Sequence, residues 1–283
     1  MSEPIIRPVD QIRQGVPATD GAGVKLTRIL GTHSFMNYDP FLLLDEFRSE
    51  DRQDYIAGFP SHPHRGFETI TYMKQGRFRH KDSIGNEGLL NAGAIQWMTA
   101  GKGIIHSEMP EVEEGLVWGY QLWLNLPAKD KMIDPRYQDI QAEDIPVVEE
   151  PGRWVKIMAG NYKGQEGASQ TRFPVMYFDV QLEPGVDFSQ PMPMDMNGFV
   201  YLYDGSAQVG PPDHGEAASK GDLVLLGEGD LLALTAGEKG AGMLVIAGQR
   251  LNEPIVRGGP FVMTTEADLR QAFTDYQNGV LDA

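Results

Sequence analysis

Two parts of this 283-residue chain repeat one another at a nearly constant spacing, and that repeat limits the folds open to it. The run from Ile70 to Gly76 (ITYMKQG) parallels Phe199 to Gly205 (FVYLYDG). Asn91-Ala92-Gly93, ahead of an apolar run, likewise parallels Ser219-Lys220-Gly221, ahead of Asp222 to Leu226. The offsets, 129 and 128 residues, agree closely, so one unit has been used twice. Each unit reads as strands. Thr69 to Met73, Ala94 to Met98, Gly119 to Leu126 and Val175 to Leu182 are short apolar or alternating runs. Gly85-Asn86, Glu183-Pro184-Gly185 and Asp204-Gly205 punctuate them. The expectation is an all-β protein of two tandem β-barrel or jelly-roll domains. Ala128 to Gly152, charged and weakly periodic, reads as the linker, which divides the chain into 1–135 and 136–283. A short helix closes the second domain. Thr265 caps it, Leu269, Ala272, Phe273 and Tyr276 form its apolar stripe, and Gly279 stops it.

Into the first repeat are set two pairs of potential ligands. His62-Pro63-His64 reads His-x-His, and His106-Ser107-Glu108 reads His-x-Glu. Residues i and i+2 of a strand share a face, so two facing strands would bring three imidazoles and one carboxylate around a point. Such a donor set suits a transition metal with positions left for substrate or dioxygen, and does not select among iron(II), copper, nickel and manganese. A lone His-x-His is commonly a surface pair; the second motif at barrel spacing is what turns it into a site.

The repeat offers an internal control. With the 129 offset, His62 and His64 fall on Pro191 and Pro193, or on Met192 and Met194 after a one-residue slip. With the 128 offset, His106 and Glu108 fall on Leu234 and Ala236. The second domain carries no equivalent set, and its one histidine, His214, lies in a turn. The strand fold itself therefore does not demand these residues.

Other candidates are weaker. His80 is a possible pocket residue, otherwise a satisfied structural histidine. His33 lies in a polar loop, and Glu68 is assigned beside the ligands rather than among them. Ala100-Gly101-Lys102-Gly103 lacks the leading glycine and the following Ser/Thr of a phosphate loop. Trp97, Trp118 and Trp123 read mainly as barrel filling, with Trp97 or Trp123 able to line the mouth of the site.

Composition bounds the rest. Forty acidic against 24 basic residues give a formal charge of −16, which disfavours direct nucleic-acid binding. The absence of cysteine removes disulfides, thiolate metal sites and cysteine nucleophiles. With no apolar leader or membrane-length apolar run, the expectation is a cytoplasmic protein that does not enter a membrane.

These residues resemble the pirin family, two-cupin proteins of bacteria and eukaryotes. Gly58 to Thr69 (GFPSHPHRGFET) is similar to its first signature and Gln96 to Glu108 (QWMTAGKGIIHSE) to its second. Asp39 to Phe47 and Gly259 to Met263 extend the likeness over nearly the whole chain. The resemblance implies an N-terminal metal-binding cupin and a degenerate C-terminal one. It implies one divalent metal, usually iron(II) (with copper, nickel, manganese or cobalt also compatible), held by His62, His64, His106 and Glu108. It implies quercetin 2,3-dioxygenase activity, with a flavonol and O2 as substrates and Glu108 as proton acceptor. It also implies a competing role: a non-enzymatic iron- or redox-responsive protein that regulates transcription or a metabolic enzyme through a protein partner. A degenerate cupin with a purely structural metal is the remaining reading.

Overall fold

The computed structural model describes residues 3–112 and 114–282. In chain order the strands are β1 (Val9–Gln14), β2 (Val16–Asp20), β3 (Val24–Leu30), β4 (Phe41–Ser49), β5 (Phe59–His64), β6 (Phe67–Gln75), β7 (Phe78–Asp82), β8 (Glu87–Leu90), β9 (Ile95–Thr99), β10 (Ile104–Pro110), β11 (Val117–Asn125) and β12 (Arg136–Ile140). They continue with β13 (Val147–Glu150), β14 (Arg153–Ala159), a small hairpin β15 (Asn161–Tyr162) and β16 (Gln165–Glu166), β17 (Val175–Leu182), β18 (Asp187–Pro191), β19 (Met196–Val209), β20 (Glu216–Ser219), β21 (Asp222–Leu226), β22 (Leu231–Gln249), β23 (Val256–Gly258) and β24 (Phe261–Met263). One helix, α1 (Glu266–Gln277), follows.

The repeat is visible strand by strand. One unit holds a seven-stranded sheet in the order β12-β9-β6-β11-β4-β3-β2 and a four-stranded sheet in the order β5-β10-β7-β8. The other runs β1-β21-β19-β22-β17-β14-β13, with β18 on β22 and β20 on β19. Thus β6 and β7 of the first barrel correspond to the single long β19 of the second, and β10 and β11 to the 19-residue β22. Phe47, Met73, Phe78 and Leu90 pack between the two sheets of the first barrel. A larger apolar cluster, including Phe178, Phe188, Val200, Leu234 and Val245, fills the second.

A single cut at residue 135/136 does not reproduce these units. One unit comprises the chain up to Gly15 with Glu143–Arg250; the other comprises Val16–Ala142 with the chain from Leu251. The cause is strand pairing at both ends. β1 completes the second barrel against β21, with Ile12 opposite Val224. The closing helix belongs with the first barrel: Leu269 and Ala272 pack with Phe261 and Ile105, and Arg65 pairs with Asp275 at 2.6 Å. Its cap is as expected, the Thr265 hydroxyl accepting from the Asp268 amide, while Phe273 and Tyr276 of the stripe stay partly exposed. Ala128 to Gly152 is not an unstructured linker either, since β12 pairs with β9 and β13 with β14. No helix among the described residues is long and apolar enough to cross a membrane.

Candidate metal centre

The small sheet of the first barrel sets the site. On the β5–β10 ladder His106 lies directly opposite His62, and His64 opposite Ile104, with a register shift before Glu108. On the β10–β7 ladder His106 lies opposite Asp82, and Glu108 opposite His80. Opposed residues share a face, as do i and i+2, so His62, His64, His106, Glu108, His80 and Asp82 all point into the barrel. The turn that follows β5 is fixed at Gly66, whose φ of +86° and contact with the Val262 carbonyl leave no room for a side chain. Lys131, buried and pushed down to about 8 by that burial, donates to Gly66, Asn125 and Val262 at 2.6–2.9 Å and ties this turn to β24.

Three histidines converge. One ring nitrogen from each of His62, His64 and His106 lies within 4.8 Å of the others. The His106 ring is 1% exposed, and neither of its nitrogens has a partner in the protein. Burial, reinforced by the neighbouring imidazoles, holds His64 and His106 well below the usual histidine range, so both are neutral lone-pair donors. A buried imidazole with no hydrogen bond is costly unless something occupies it. Three imidazoles at this spacing fit a divalent transition metal.

Glu108 stands outside that trio. Its carboxyl meets the Thr71 hydroxyl at 2.8 Å and the Gln121 amide at 3.2 Å, and Thr71 meets Gln121 at 2.5 Å. Thr71 and Gln121 thus hold the carboxyl and bond to one another.

Facing the small sheet is a polar row that no local sequence pattern assembles. Asp139, Gln96, Thr71, Gln121, Asp45 and Arg28 lie side by side across six strands of the large sheet. Arg28 clasps Asp45 through two hydrogen bonds of 2.7–2.9 Å, yet burial outweighs the arginine and pushes Asp45 up to about 6. Asp139 accepts from Gln96 and meets His80 Nε2, each at 2.9 Å. His80 is therefore a buried histidine with a carboxylate partner, beside the cluster rather than in it.

A cavity of about 600 Å3 opens on His62, His64 and Glu108. Leu43, Phe47, Phe59 and Trp123 give it apolar walls, and Asp45, Gln121 and Arg257 give it polar ones. Trp123 meets the His64 ring edge-on at 5.3 Å, and the Arg257 guanidinium sits 4.8 Å from the Trp123 ring. Trp97 and Glu68 lie on the opposite face of the sheet; Glu68, expected near the ligands, instead accepts from Thr99 at 2.6 Å. Trp118 is also on that outer face, bonded to Glu46, and His33 is exposed. Arg257, Thr71 and Gln121 escaped sequence reasoning. The one available signal was that Gln121 shares a face with Trp123 in an alternating strand.

The register also corrects the alignment of the two repeats. Phe188 opposes Leu234 and Gln190 opposes Leu232 as His62 opposes His106 and His64 opposes Ile104. The counterparts of His62 and His64 are thus Phe188 and Gln190, not the prolines or methionines beyond them, because the turn after β18 is longer than that after β5. The second barrel still has no matching ligand set.

Comparison with known proteins agrees with this architecture. The family profile "Pirin" matches residues 23–124, and "Pirin C-terminal cupin domain" matches 177–282. A Pseudomonas aeruginosa protein named "Putative quercetin 2,3-dioxygenase" is 47% identical over 283 residues, covering 97% of this chain and 98% of its own. Human pirin is 40% identical over 262 residues, covering 92% and 89%. The crystal structure of a quercetin 2,3-dioxygenase from Acinetobacter baumannii superposes with a TM-score of 0.89 at 33% identity, covering 98% of this chain and 99% of the other.

Proposed function

This chain belongs to the pirin family, and from that premise we propose that it is a metal-dependent dioxygenase that opens the central ring of a flavonol such as quercetin. The observation that carries the reading is the convergence of His62, His64 and His106 at the foot of an aromatic-walled cavity, with both ring nitrogens of the buried His106 unpartnered in the protein. His62, His64 and His106, with Glu108 as fourth ligand, hold one divalent ion, iron(II) in this proposal. That ion would supply Lewis acidity toward the substrate hydroxyl and an electron path to dioxygen.

The remaining work falls to the chain. A planar flavonol suits a cavity of about 600 Å3, the size of ordinary small-molecule sites. Phe47, Phe59, Leu43 and Trp123 exclude water from its rings, and Arg257 faces its anionic form across Trp123. Glu108 takes the proton of the substrate's 3-hydroxyl. Thr71 and Gln121 hold the carboxyl in place.

The test is reconstitution. Protein stripped by chelation is loaded without oxygen with iron(II), copper(II), nickel(II), manganese(II) or cobalt(II), then given quercetin and O2. O2 uptake matched by equimolar CO release is the expected result. Full occupancy by each metal without turnover would sink the proposal and leave a metal-responsive binding protein as the reading. Glu108→Gln should lose turnover while retaining most metal; equal loss of both would remove its role as base.

A further inference from the structure

His80 is buried and pairs with the more exposed Asp139, and the proposed reaction does not use the pair. The His80 side chain is 3% exposed, and its Nε2 lies 2.9 Å from Asp139 Oδ2. A carboxylate partner calls for the proton at Nε2, and in the Nε2–H tautomer Nδ1 is an acceptor. That Nδ1 has no partner in the protein. Gly88 lies opposite His80 on the β7–β8 ladder, and a methyl there would overlap His80 Nε2 and crowd Asp139, so the missing side chain makes room for the pair. Tyr137 stacks on the His80 ring at 5.4 Å, and its buried hydroxyl faces Asp82.

The neighbouring His106 has the complementary need. Once one of its nitrogens is given to a metal, the other carries an N–H that requires an acceptor. His80 stands diagonally across the β10–β7 ladder from His106, on the same interior face. The two rings interact electrostatically, and the Tyr137 hydroxyl is raised in pKa by burial, then by Asp82 and Glu108, the residues flanking this gap. No direct His80–His106 hydrogen bond exists, whereas polar groups on several sides suit one small bridging molecule.

We propose that His80, locked by Asp139, accepts the outer N–H of His106 through one buried water that the Tyr137 hydroxyl also contacts. His80 and Asp139 are then positioning residues for a metal ligand, joined in the line Asp139–His80–water–His106. The inference rests on the reading of His62, His64 and His106 as metal ligands, and it does not depend on which reaction the metal serves.

Cobalt(II) binding to the chelated full-length chain separates the two. Affinity by competition titration and the visible d–d spectrum are measured alongside thermal unfolding of the metal-free chain. His80→Phe keeps the stack on Tyr137 and should weaken cobalt binding about 10- to 100-fold, the range for loss of a ligand's outer partner, with an altered spectrum. Asp139→Leu should follow it, and Asp139→Asn, which keeps a carbonyl acceptor for Nε2, should recover most of the affinity. Gly88→Ala, at a position without backbone strain, should also weaken binding by displacing the pair. Affinity within twofold of the unaltered chain for His80→Phe and Asp139→Leu, with unchanged spectra, would overturn the inference while leaving the site intact, even if their metal-free stability fell. Failure of the unaltered chain to bind cobalt(II) would instead overturn the ligand reading beneath it.

Discussion

The two barrels share a strand order and differ in one row of residues. Across the large sheet of the first barrel run Asp139, Gln96, Thr71, Gln121, Asp45 and Arg28. Across the matching sheet of the second run Ile12, Val224, Val200, Val245, Phe178 and Ile157. The facing strands differ in the same way, with Phe188, Leu234 and Ala236 where the first barrel has His62, His106 and Glu108. The second barrel closes over an apolar core; the first gives up part of that core for a cavity with polar groups along one sheet. Backbone pairing alone therefore specifies the barrel, and the content of one cross-strand row decides whether it is filled or open. Burying polar groups is tolerable here because they are paired with one another across the sheet.

Replacing residues of one barrel by those of the other tests how far this contrast holds. The largest effect is expected from His106→Leu, which installs the residue found at Leu234. Metal affinity should fall by more than about 100-fold, beyond the loss seen when only a ligand's outer partner is removed. The metal-free chain should be no less stable, since an unpartnered buried ring is replaced by an apolar one. Retained metal binding in an equilibrium titration would break the comparison.

Next comes Phe188→Ala in the second barrel, expected to cost about 3–5 kcal/mol in denaturant unfolding, the usual range for emptying a core aromatic site. Metal stoichiometry should stay unchanged; a loss of metal would show that the two cores are not separate. Smaller is Thr71→Val, the residue of Val200. Leaving that buried carboxyl contact unmade costs about 1–3 kcal/mol, so kcat should drop roughly 5- to 100-fold in the reconstituted oxygen-uptake assay while metal is kept.

The smallest effect concerns Asp45, whose counterpart is Phe178. Burial raises its folded pKa to about 6, above the ordinary 3.8. Between these values the folded chain binds more protons than the unfolded one, so the contribution of this group to stability is fully present below 3.8 and lost as pH rises through 6. Thermal unfolding of the native chain relative to Asp45→Asn should therefore decline from pH 4 to 6 and level off above. A difference that is flat across this window, or that grows with pH, would contradict the burial argument and give the Arg28 pairing the upper hand.

Much of this was legible in the sequence, and the parts that were not share a cause. The histidines could be placed because i and i+2 share a face whatever the register. The repeat could be seen because strands β6 and β19, and β9 and β21, keep the same local pattern. The cap at Thr265 is a purely local device. Thr71, Gln121 and Asp139 could not be gathered, because their meeting depends on pairing between strands far apart in sequence. Arg257 was hidden for a stronger reason: it lines the cavity of the first barrel but follows the last long strand of the second. The helix, expected to close the second domain, packs with the first barrel in the same way. The counterparts of His62 and His64 were misplaced because a longer turn after β18 shifts the register without altering the strands on either side.

The crossed ends have a consequence for biosynthesis. The second barrel has every strand it needs, β1 included, once translation has passed Gln249. The first barrel, although encoded earlier, still lacks Arg257, Phe261 and the helix that Arg65 anchors. The order in which the barrels are completed thus inverts the order in which they are translated.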